Sequence, residues 1–327
     1  MKKIINKPEE YTDDMLLGIY KAHGESVHFA NGDLRCYCIN EKIPNKVAII
    51  TGGGTGHLPL FLGYVGKGLL DGCAVGSVFQ SPSAEQIYTV SKEVESGAGI
   101  LYLYGNYTGD IMNFDMAAEL CEMEDIKTLS LVGADDVNSG SPEVRRGVAG
   151  IYFLYKAAGA CAAKMGTLEQ VYAAAKKAAE ATRTVGFALT PCIIPEVGKP
   201  NFTLGENEMA MGMGIHGEPG IWNGAIKTAD EIAAESLESI NADMPLISGD
   251  EVCVMINGLG ATSLDEQYIL YNSVYKWLNE RGIRIYHPRI GEFATSMEMM
   301  GASITVCKLD AELKEYLDFP VDTPFIR

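Results

Sequence analysis

The sequence predicts an α/β fold with two α/β domains, largely parallel or mixed sheets and crossover helices. Short apolar runs alternate with helical patterns from Val47 onward, which is typical of strands joined by crossover helices. The chain has 327 residues, whereas a single domain usually has roughly 100 to 200. Near residue 184 an alanine-rich helical pattern gives way to a segment rich in glycine and proline. We therefore predict an N-terminal domain over residues 1–184 and a C-terminal domain over residues 185–327.

The N-terminal half contains three predicted strands, and each is followed by glycine or acidic residues. The strands cover residues 47–50, 100–104 and 127–132, and the segments that follow them cover residues 52–56, 105–110 and 133–136. Ligands bind beyond the carboxyl ends of strands in open sheets of this type. We therefore expect the three segments to meet in one crevice.

The rest of the chain combines regular elements with one irregular segment. Capping-box spacing predicts helices from Thr167 to about residue 183 and from Thr228 to about residue 240. Residues 186–226 are rich in glycine, proline and asparagine, and we interpret them as an ordered, functional loop region. Further elements are predicted at residues 251–256 (strand), 265–278 (helix), 283–286 (strand) and 303–308 (strand).

Composition excludes several classes of protein. The formal net charge of -17 would repel a phosphate backbone, so direct nucleic-acid binding is not expected. No apolar run reaches the length of about 18 residues that spans a bilayer, and the first residues lack the apolar core of a signal peptide. The sequence therefore predicts a cytoplasmic protein with no membrane partner.

The cysteines and histidines do not have the spacing of a metal site. Eight cysteines are scattered, mostly in apolar runs, and the five histidines do not cluster with them. Cys36 and Cys38 are too close for the spacing of a redox or zinc pair. We predict buried, unpaired cysteines and no metal bound by this chain.

A single histidine, His216, lies among three glycines and a proline in residues 214–220, which read Gly-Ile-His-Gly-Glu-Pro-Gly. Glycines on both sides would let a ligand approach the imidazole closely. A neutral imidazole nitrogen is a competent nucleophile towards a carbonyl carbon. His216 is therefore a candidate nucleophile.

A second histidine, His57, follows a glycine-rich segment that would form a turn after a strand. Such a turn can hold an anion on its backbone N–H groups, or it can serve only as a tight turn. The segment lacks the lysine of a phosphate loop and the third glycine of a dinucleotide fingerprint, so a nucleotide site is weakly supported. His57 itself is either a buried structural histidine or a hydrogen-bond partner and proton carrier.

Three further groups have alternative interpretations. Asp110 can cap the helix that follows it, accept a proton from a substrate hydroxyl, or do both. Asp135 and Asp136 fit a turn or cap better than a metal pair, since no third ligand is recognisable. Arg145 and Arg146 form a small basic island that is either solvated surface or a contact for an anion or partner.

These motifs together resemble the dihydroxyacetone kinase family, in particular its substrate-binding K subunit. The resemblance runs from the first residues nearly to the end of the chain. The matching segments are residues 51–57 (Thr-Gly-Gly-Gly-Thr-Gly-His), 81–82 (Ser-Pro), 106–110 (Asn-Tyr-Thr-Gly-Asp), 145–149 (Arg-Arg-Gly-Val-Ala), 195–200 (Pro-Glu-Val-Gly-Lys-Pro), 207–208 (Asn-Glu), 214–220 and 257–262 (Asn-Gly-Leu-Gly-Ala-Thr).

The resemblance implies roles for individual residues. His216 would add to the ketone carbon of a short-chain sugar and form a covalent hemiaminal. Asp110 would take the proton from the hydroxyl that is phosphorylated, and His57 would hydrogen-bond that end of the substrate. Backbone around Gly53 and Gly54, together with Ser81, would complete the pocket.

The resemblance also implies partners. The chain itself would bind no cofactor, because ADP or ATP with magnesium would be held by a separate L-type subunit, and a phosphocarrier protein recharges ADP in phosphotransferase versions. The chain would form a homodimer. Two departures leave the sugar open between dihydroxyacetone and a relative such as erythrulose: Gly105 replaces a substrate-contacting lysine, and Leu58 replaces a charged residue. The rival function is a non-catalytic ketose sensor that co-activates a transcription regulator.

Overall fold

The computed structural model describes residues 2–326 and confirms the α/β fold class. In chain order the strands of this part are β1 Val27–Phe29, β2 Cys36–Ile39, β3 Ala48–Thr55, β4 Gly72–Val78, β5 Ile100–Gly105, β6 Thr128–Gly133, β7 Thr182–Ala188, β8 Glu208–Met211, β9 Trp222–Ala225, β10 Glu251–Gly258, β11 Arg284–Ile285, β12 Arg289–Gly291 and β13 Gly301–Lys308. The helices are α1 Tyr11–His23, α2 Ala84–Val94, α3 Thr108–Glu122, α4 Ile151–Ala163, α5 Leu168–Glu180, α6 Ala229–Asp243, α7 Leu264–Glu280 and α8 Ala311–Asp318.

The first sheet has the order β1-β2-β4-β3-β5-β6. Strands β4, β3, β5 and β6 are parallel, while β1 and β2 add an antiparallel edge. The carboxyl ends of the parallel strands therefore lie at one edge of the sheet. The segments that carry His57, Ser81, Asp110 and Asp136 all leave from that edge, as the alternation of strands and helices predicted.

The second sheet has the order β11-β10-β13-β7-β8-β9, with β12 also paired to β10. It is mixed: β10, β13, β7, β8 and β9 are antiparallel, and β11 and β12 run parallel to β10. The predicted boundary near residue 184 falls inside β7, which pairs with β13 from Thr182 to Ala188. The division between the two sheets therefore lies before Thr182.

The prediction that residues 186–226 form one irregular segment was wrong in part. Strand β7 continues to Ala188, and β8 and β9 form an antiparallel pair in the same sheet. Strands β8 and β9 are only four residues long, and the glycines and prolines around them made them hard to recognise in the sequence. The remaining irregular stretch between β8 and β9 contains His216.

The glycine-rich turn predicted after the first strand was also wrong, because residues 52–54 lie inside β3. These glycines pair in parallel register with β4 as far as Gly54. These glycines do not form a turn. Because they have no side chains, other residues can pack closely against the strand. A Cβ on Gly53 would come within 2.3 Å of the Phe61 ring, and one on Gly54 within 2.7 Å of the Phe79 Cα.

Among the helices of residues 2–326, four begin with a complete capping box, including those predicted at Thr167 and Thr228. The main hydrophobic core extends across both sheets, from Leu16 in α1 to Leu317 in α8. All eight cysteines are buried and unpaired, as predicted. Within residues 2–326, no helix combines the length and apolar character needed to cross a membrane.

Candidate functional site

His57 lies just beyond β3 and is almost completely buried, with 1% of its surface exposed. Its Nδ1 is 2.8 Å from the carbonyl oxygen of Thr295, so Nδ1 carries the hydrogen and donates it. Burial, followed by the influence of His216, lowers the pKa of His57 to about 3. The ring is therefore neutral at physiological pH. Its Nε2 is a buried lone-pair acceptor without a partner among the described residues.

His216 is held by the carboxylate of Glu218, two residues further along the same loop. Glu218 Oε1 accepts a hydrogen bond from His216 Nδ1 at 2.7 Å, and Oε2 accepts one from the His216 backbone N–H at 3.0 Å. Burial alone would raise the pKa of Glu218, but the hydrogen bond from His216 and the electrostatic influence of His216 and Arg146 hold it at about 2. In the neutral ring the hydrogen therefore sits on Nδ1, and Nε2 keeps its lone pair.

Aromatic rings enclose the two histidines. The His57 and His216 rings are 4.7 Å apart and nearly perpendicular. Phe79 stacks on His57 at 4.8 Å and meets His216 edge to face at 5.2 Å, while Tyr107 meets His216 at 4.7 Å. Phe79 has a φ of 57°, an uncommon backbone conformation for a phenylalanine that places its ring against His57. These contacts restrict the orientation of both imidazoles.

Asp110 lies in the first turn of α3, and its carboxyl group is buried. Tyr107, not Asp110, is the N-cap residue, so the capping role considered for Asp110 is not observed. Burial raises the pKa of Asp110 to about 6, although Ser81 and His216 oppose this shift. Its Oδ1 has no hydrogen-bond partner in the described part of the chain. Such a carboxylate is well suited to accept a proton near neutral pH.

Ser81, Gly53 and Gly54 surround the same end of the first sheet. Ser81 lies between β4 and α2, and its hydroxyl would be 2.7 Å from a Cβ built on Gly109. Gly53 and Gly54 belong to the last part of β3, before His57. The structure therefore brings these predicted residues to one edge, while their contacts with a substrate stay predictions.

Asp135 and Asp136 have structural partners. Asp135 accepts hydrogen bonds from the backbone N–H groups of Val148 and Gly150, and Asp136 accepts one from Asn138 at the start of a short turn. This agrees with the favoured interpretation as turn and cap residues. Within the described residues, no three histidine, cysteine or acidic side chains are grouped so that they could hold a metal ion.

The two departures from the family pattern lie in different surroundings. Gly105 ends β5, and a Cβ there would be 3.0 Å from the Tyr107 ring that contacts His216. Leu58 lines a cavity of about 490 Å³ together with Gly56, Tyr11 and Glu298. The Gly105 position is therefore next to a ring that borders His216.

Several residues of this arrangement were not singled out from the sequence. Glu218 is part of the motif that contains His216. Its position two residues after the histidine was the sequence feature that could have indicated its role. Phe79 and Thr295 carried no signal, because their proximity to His57 depends on the fold. The assembled site offers a nucleophilic nitrogen, a neutral acceptor and a carboxylate with a raised pKa. This set can capture a carbonyl compound and deprotonate a hydroxyl group.

A family model described as the Dak1 domain matches residues 17–325. The chain belongs to the Dak1 domain family. Among its family relatives is the dihydroxyacetone-binding subunit of PTS-dependent dihydroxyacetone kinase 2 from Listeria innocua, at 45% identity over 100% of this chain and 99% of the relative. Dak1 relatives also include a D-erythrulose kinase from Mycolicibacterium smegmatis at 40% identity, where 99% of this chain covers 56% of the relative.

A solved structure of a dihydroxyacetone kinase operon co-activator also resembles this Dak1 chain. It has a TM-score of 0.89 and 30% identity, with 97% of each chain covered. A kinase subunit, an erythrulose kinase and a co-activator are thus all similar to this protein over nearly its whole length. The Dak1 fold by itself does not separate these functions.

Proposed function

We propose that this chain is the ketose-binding subunit of a dihydroxyacetone-type kinase. The observation that carries the proposal is the freed Nε2 of His216, with Nδ1 bound to Glu218, beside a neutral His57 and a carboxylate in Asp110. The kinase names of the relatives add support, since this chain matches the Listeria innocua subunit from end to end.

In the proposed reaction, Nε2 of His216 attacks the ketone carbon and forms a nitrogen–carbon bond. The carbonyl π electrons move to the oxygen, which takes up a proton, and the ring gives up its Nδ1 proton. The product is a hemiaminal that contains every atom of the ketose. The Glu218 carboxylate stabilises the positive charge that develops on the ring during the attack. This covalent bond fixes the position of the sugar, and such orientation can contribute several kcal/mol to lowering a barrier.

Asp110 then accepts the proton of the hydroxyl that becomes phosphorylated. The hydroxyl oxygen attacks the terminal phosphorus of the donor, and the donor's bridging oxygen leaves with its electron pair. His57 Nε2 accepts a hydrogen bond from the same end of the sugar, because its Nδ1 hydrogen is committed to Thr295. Backbone at Gly53 and Gly54 and the Ser81 hydroxyl border this end of the pocket in the proposal.

The phosphoryl donor is proposed to sit on a separate L-type subunit that carries ADP or ATP with magnesium. This chain covers 56% of the D-erythrulose kinase from Mycolicibacterium smegmatis, so that relative contains a further segment. We propose that this further segment corresponds to the separate L-type subunit. The homodimer, the phosphocarrier and the cytoplasmic location implied by the resemblance stay predictions.

Helix α3 offers a surface for that subunit. Met112, Met116 and Leu120 share one exposed face of α3, and the exposed Met123 follows its last residue. Met112 lies two residues after Asp110. Three exposed carboxylates of the same helix form no ion pair within residues 2–326: Asp115, Glu119 and Glu122. An apolar face with an acidic rim favours a partner with a basic rim. It disfavours a second copy of this chain, whose net charge is -17.

We expect Met116→Lys to raise the concentration of L-type subunit needed for half-maximal turnover by about tenfold, since it puts a like charge against a basic rim. The control is Ile269→Lys on α7, where the original side chain is similarly exposed (58% against 54%). Ketose adduct formation should be normal in both variants. Equal effects of the two variants on turnover would contradict this location.

The test of the proposed function is incubation of the chain with dihydroxyacetone or erythrulose, with ATP alone or with a charged L-type subunit. We expect no sugar phosphate from the chain and ATP, and a phosphorylated ketose once the subunit is present. Substantial turnover by the chain alone would overturn the need for a partner. The ketose that reacts faster identifies the substrate.

The second candidate function is a ketose sensor without kinase activity. The similarity to the operon co-activator favours it, whereas a buried carboxylate with a raised pKa beside the His216 pocket favours catalysis. A sensor needs no base. Formation of the adduct without phosphorylation of any ketose in the same experiment would support the sensor.

A further inference from the structure

Arg146 connects the first sheet to the loop that carries His216. Its guanidinium lies 2.8 Å from the carboxylate of Asp136, which follows β6. It also donates a 2.8 Å hydrogen bond to the carbonyl oxygen of Gly212, just after β8. The side chains of both Arg146 and Asp136 are largely shielded from solvent, at 13% and 1% exposure. One buried cation therefore joins elements of both sheets.

The same guanidinium faces Glu218, with 3.9 Å between Arg146 Nη1 and Glu218 Oε2. Glu218 in turn binds both the ring and the backbone of His216. The backbone at Gly214 leaves room for this approach, because a Cβ there would lie 2.2 Å from Glu218 Oε2 and 3.0 Å from Arg146 Nη1. The contacts thus form a chain from Asp136 through Arg146 and Glu218 to His216.

We propose that Arg146 is a positioning residue that acts through Glu218 to set the hydrogen-bonding state of His216. The buried Asp136 carboxylate holds the guanidinium in place, and the guanidinium favours the ionised form of Glu218. An ionised Glu218 keeps the ring hydrogen on Nδ1, so that Nε2 is presented with its lone pair. The relevance to carbonyl capture rests on the proposed function, whereas the effect on the ring does not.

The neighbouring Arg145 supplies a matched control. Its guanidinium binds Asp243 at 2.5 and 3.0 Å, so it is also held by a carboxylate, and it is as buried as Arg146. Within residues 2–326 its side chain makes no hydrogen bond or ion pair with Glu218 or His216. Substitution of Arg145 therefore removes a comparable structural ion pair without touching the chain of contacts.

The experiment compares Arg146→Gln, Arg146→Lys and Arg145→Gln with the unaltered chain. The first measurement is the nitrogen-15 NMR spectrum of the His216 ring without ketose, which reports which ring nitrogen carries the hydrogen. We expect Nδ1–H in the unaltered chain and in Arg145→Gln, a shifted tautomer population in Arg146→Gln, and partial recovery in Arg146→Lys, which keeps the positive charge.

The second measurement is the dissociation constant of dihydroxyacetone, obtained by titration with intact-mass detection. We expect the dissociation constant of Arg146→Gln to be about tenfold higher, since a charge-assisted contact is lost. For Arg145→Gln we expect it to change less than twofold. An unchanged His216 spectrum in both Arg146 variants would overturn the proposal. If the unaltered chain forms no adduct, the proposed function fails while the NMR comparison still decides this inference. If Arg146→Gln does not fold, Arg146→Met, which also removes the charge, gives the same decision.

Discussion

The His216→Ala variant will form no ketose adduct under conditions in which the unaltered chain gains the full mass of the ketose. The gain equals the whole sugar because hemiaminal formation is an addition and releases no water. Alanine removes the nitrogen that forms the bond, so we expect complete loss of the adduct. Intact-mass measurement under non-denaturing conditions, with a short ketose in excess, provides the readout.

The control for this variant is His28→Ala. His28 lies on β1, where its ring contacts the side chains of Asn40 and Glu93. We expect His28→Ala to form as much adduct as the unaltered chain. Persistence of the adduct in His216→Ala would remove the central step of the proposed mechanism, even if the kinase reaction itself is observed.

The Asp110→Asn variant will retain the adduct but lose most phosphoryl transfer, by about 10²- to 10⁴-fold, which is the usual contribution of a general base. Asparagine has nearly the same shape and cannot accept the proton. The burial that raises the pKa of Asp110 to about 6 also sets a pH dependence. The base works in its ionised form, so the wild-type rate should fall as the pH drops through about 6 and level off above it.

These rates are measured with the reconstituted L-type subunit at saturating ketose. The control is Asp265→Asn in the first turn of α7, whose side chain is exposed and which should keep the wild-type rate and pH profile. The assignment of Asp110 as base would be contradicted by an Asp110→Asn enzyme with nearly full activity. A wild-type rate independent of pH around 6 would contradict it as well.

Local sequence signals predicted the elements whose ends are marked by side-chain chemistry. The capping boxes at Thr167 and Thr228 were correct because the hydroxyl and the residue three positions later satisfy backbone groups in the first turn. Helix α4 was missed, since nearly all of its residues are buried and it has no polar face. The strand predicted at residues 47–50 ended too early, because glycine usually indicates a turn. In β3 the glycines instead allow neighbouring side chains and backbone to pack closely.

The two histidines could be picked out as candidates from the sequence, but their arrangement could not. His57 and His216 stand out locally, each beside several glycines, yet they are 159 positions apart and follow strands of different sheets. Their 4.7 Å ring separation depends on how the two sheets pack. The support that Thr295 gives His57 comes from still further along the chain. No spacing rule connects such distant residues, since only the tertiary structure brings them together.

The core that runs through both sheets bears on how this protein can be dissected. Tyr64 donates its hydroxyl to Phe293, Lys156 donates to Phe319, and Thr323 binds the backbone of Gly63. A fragment cut near residue 184 would therefore expose apolar surface and leave buried polar groups without partners. We therefore expect the half that carries Asp110 and the half that carries His216 to aggregate when each is expressed alone. Fusions at the surface of the whole chain avoid this problem.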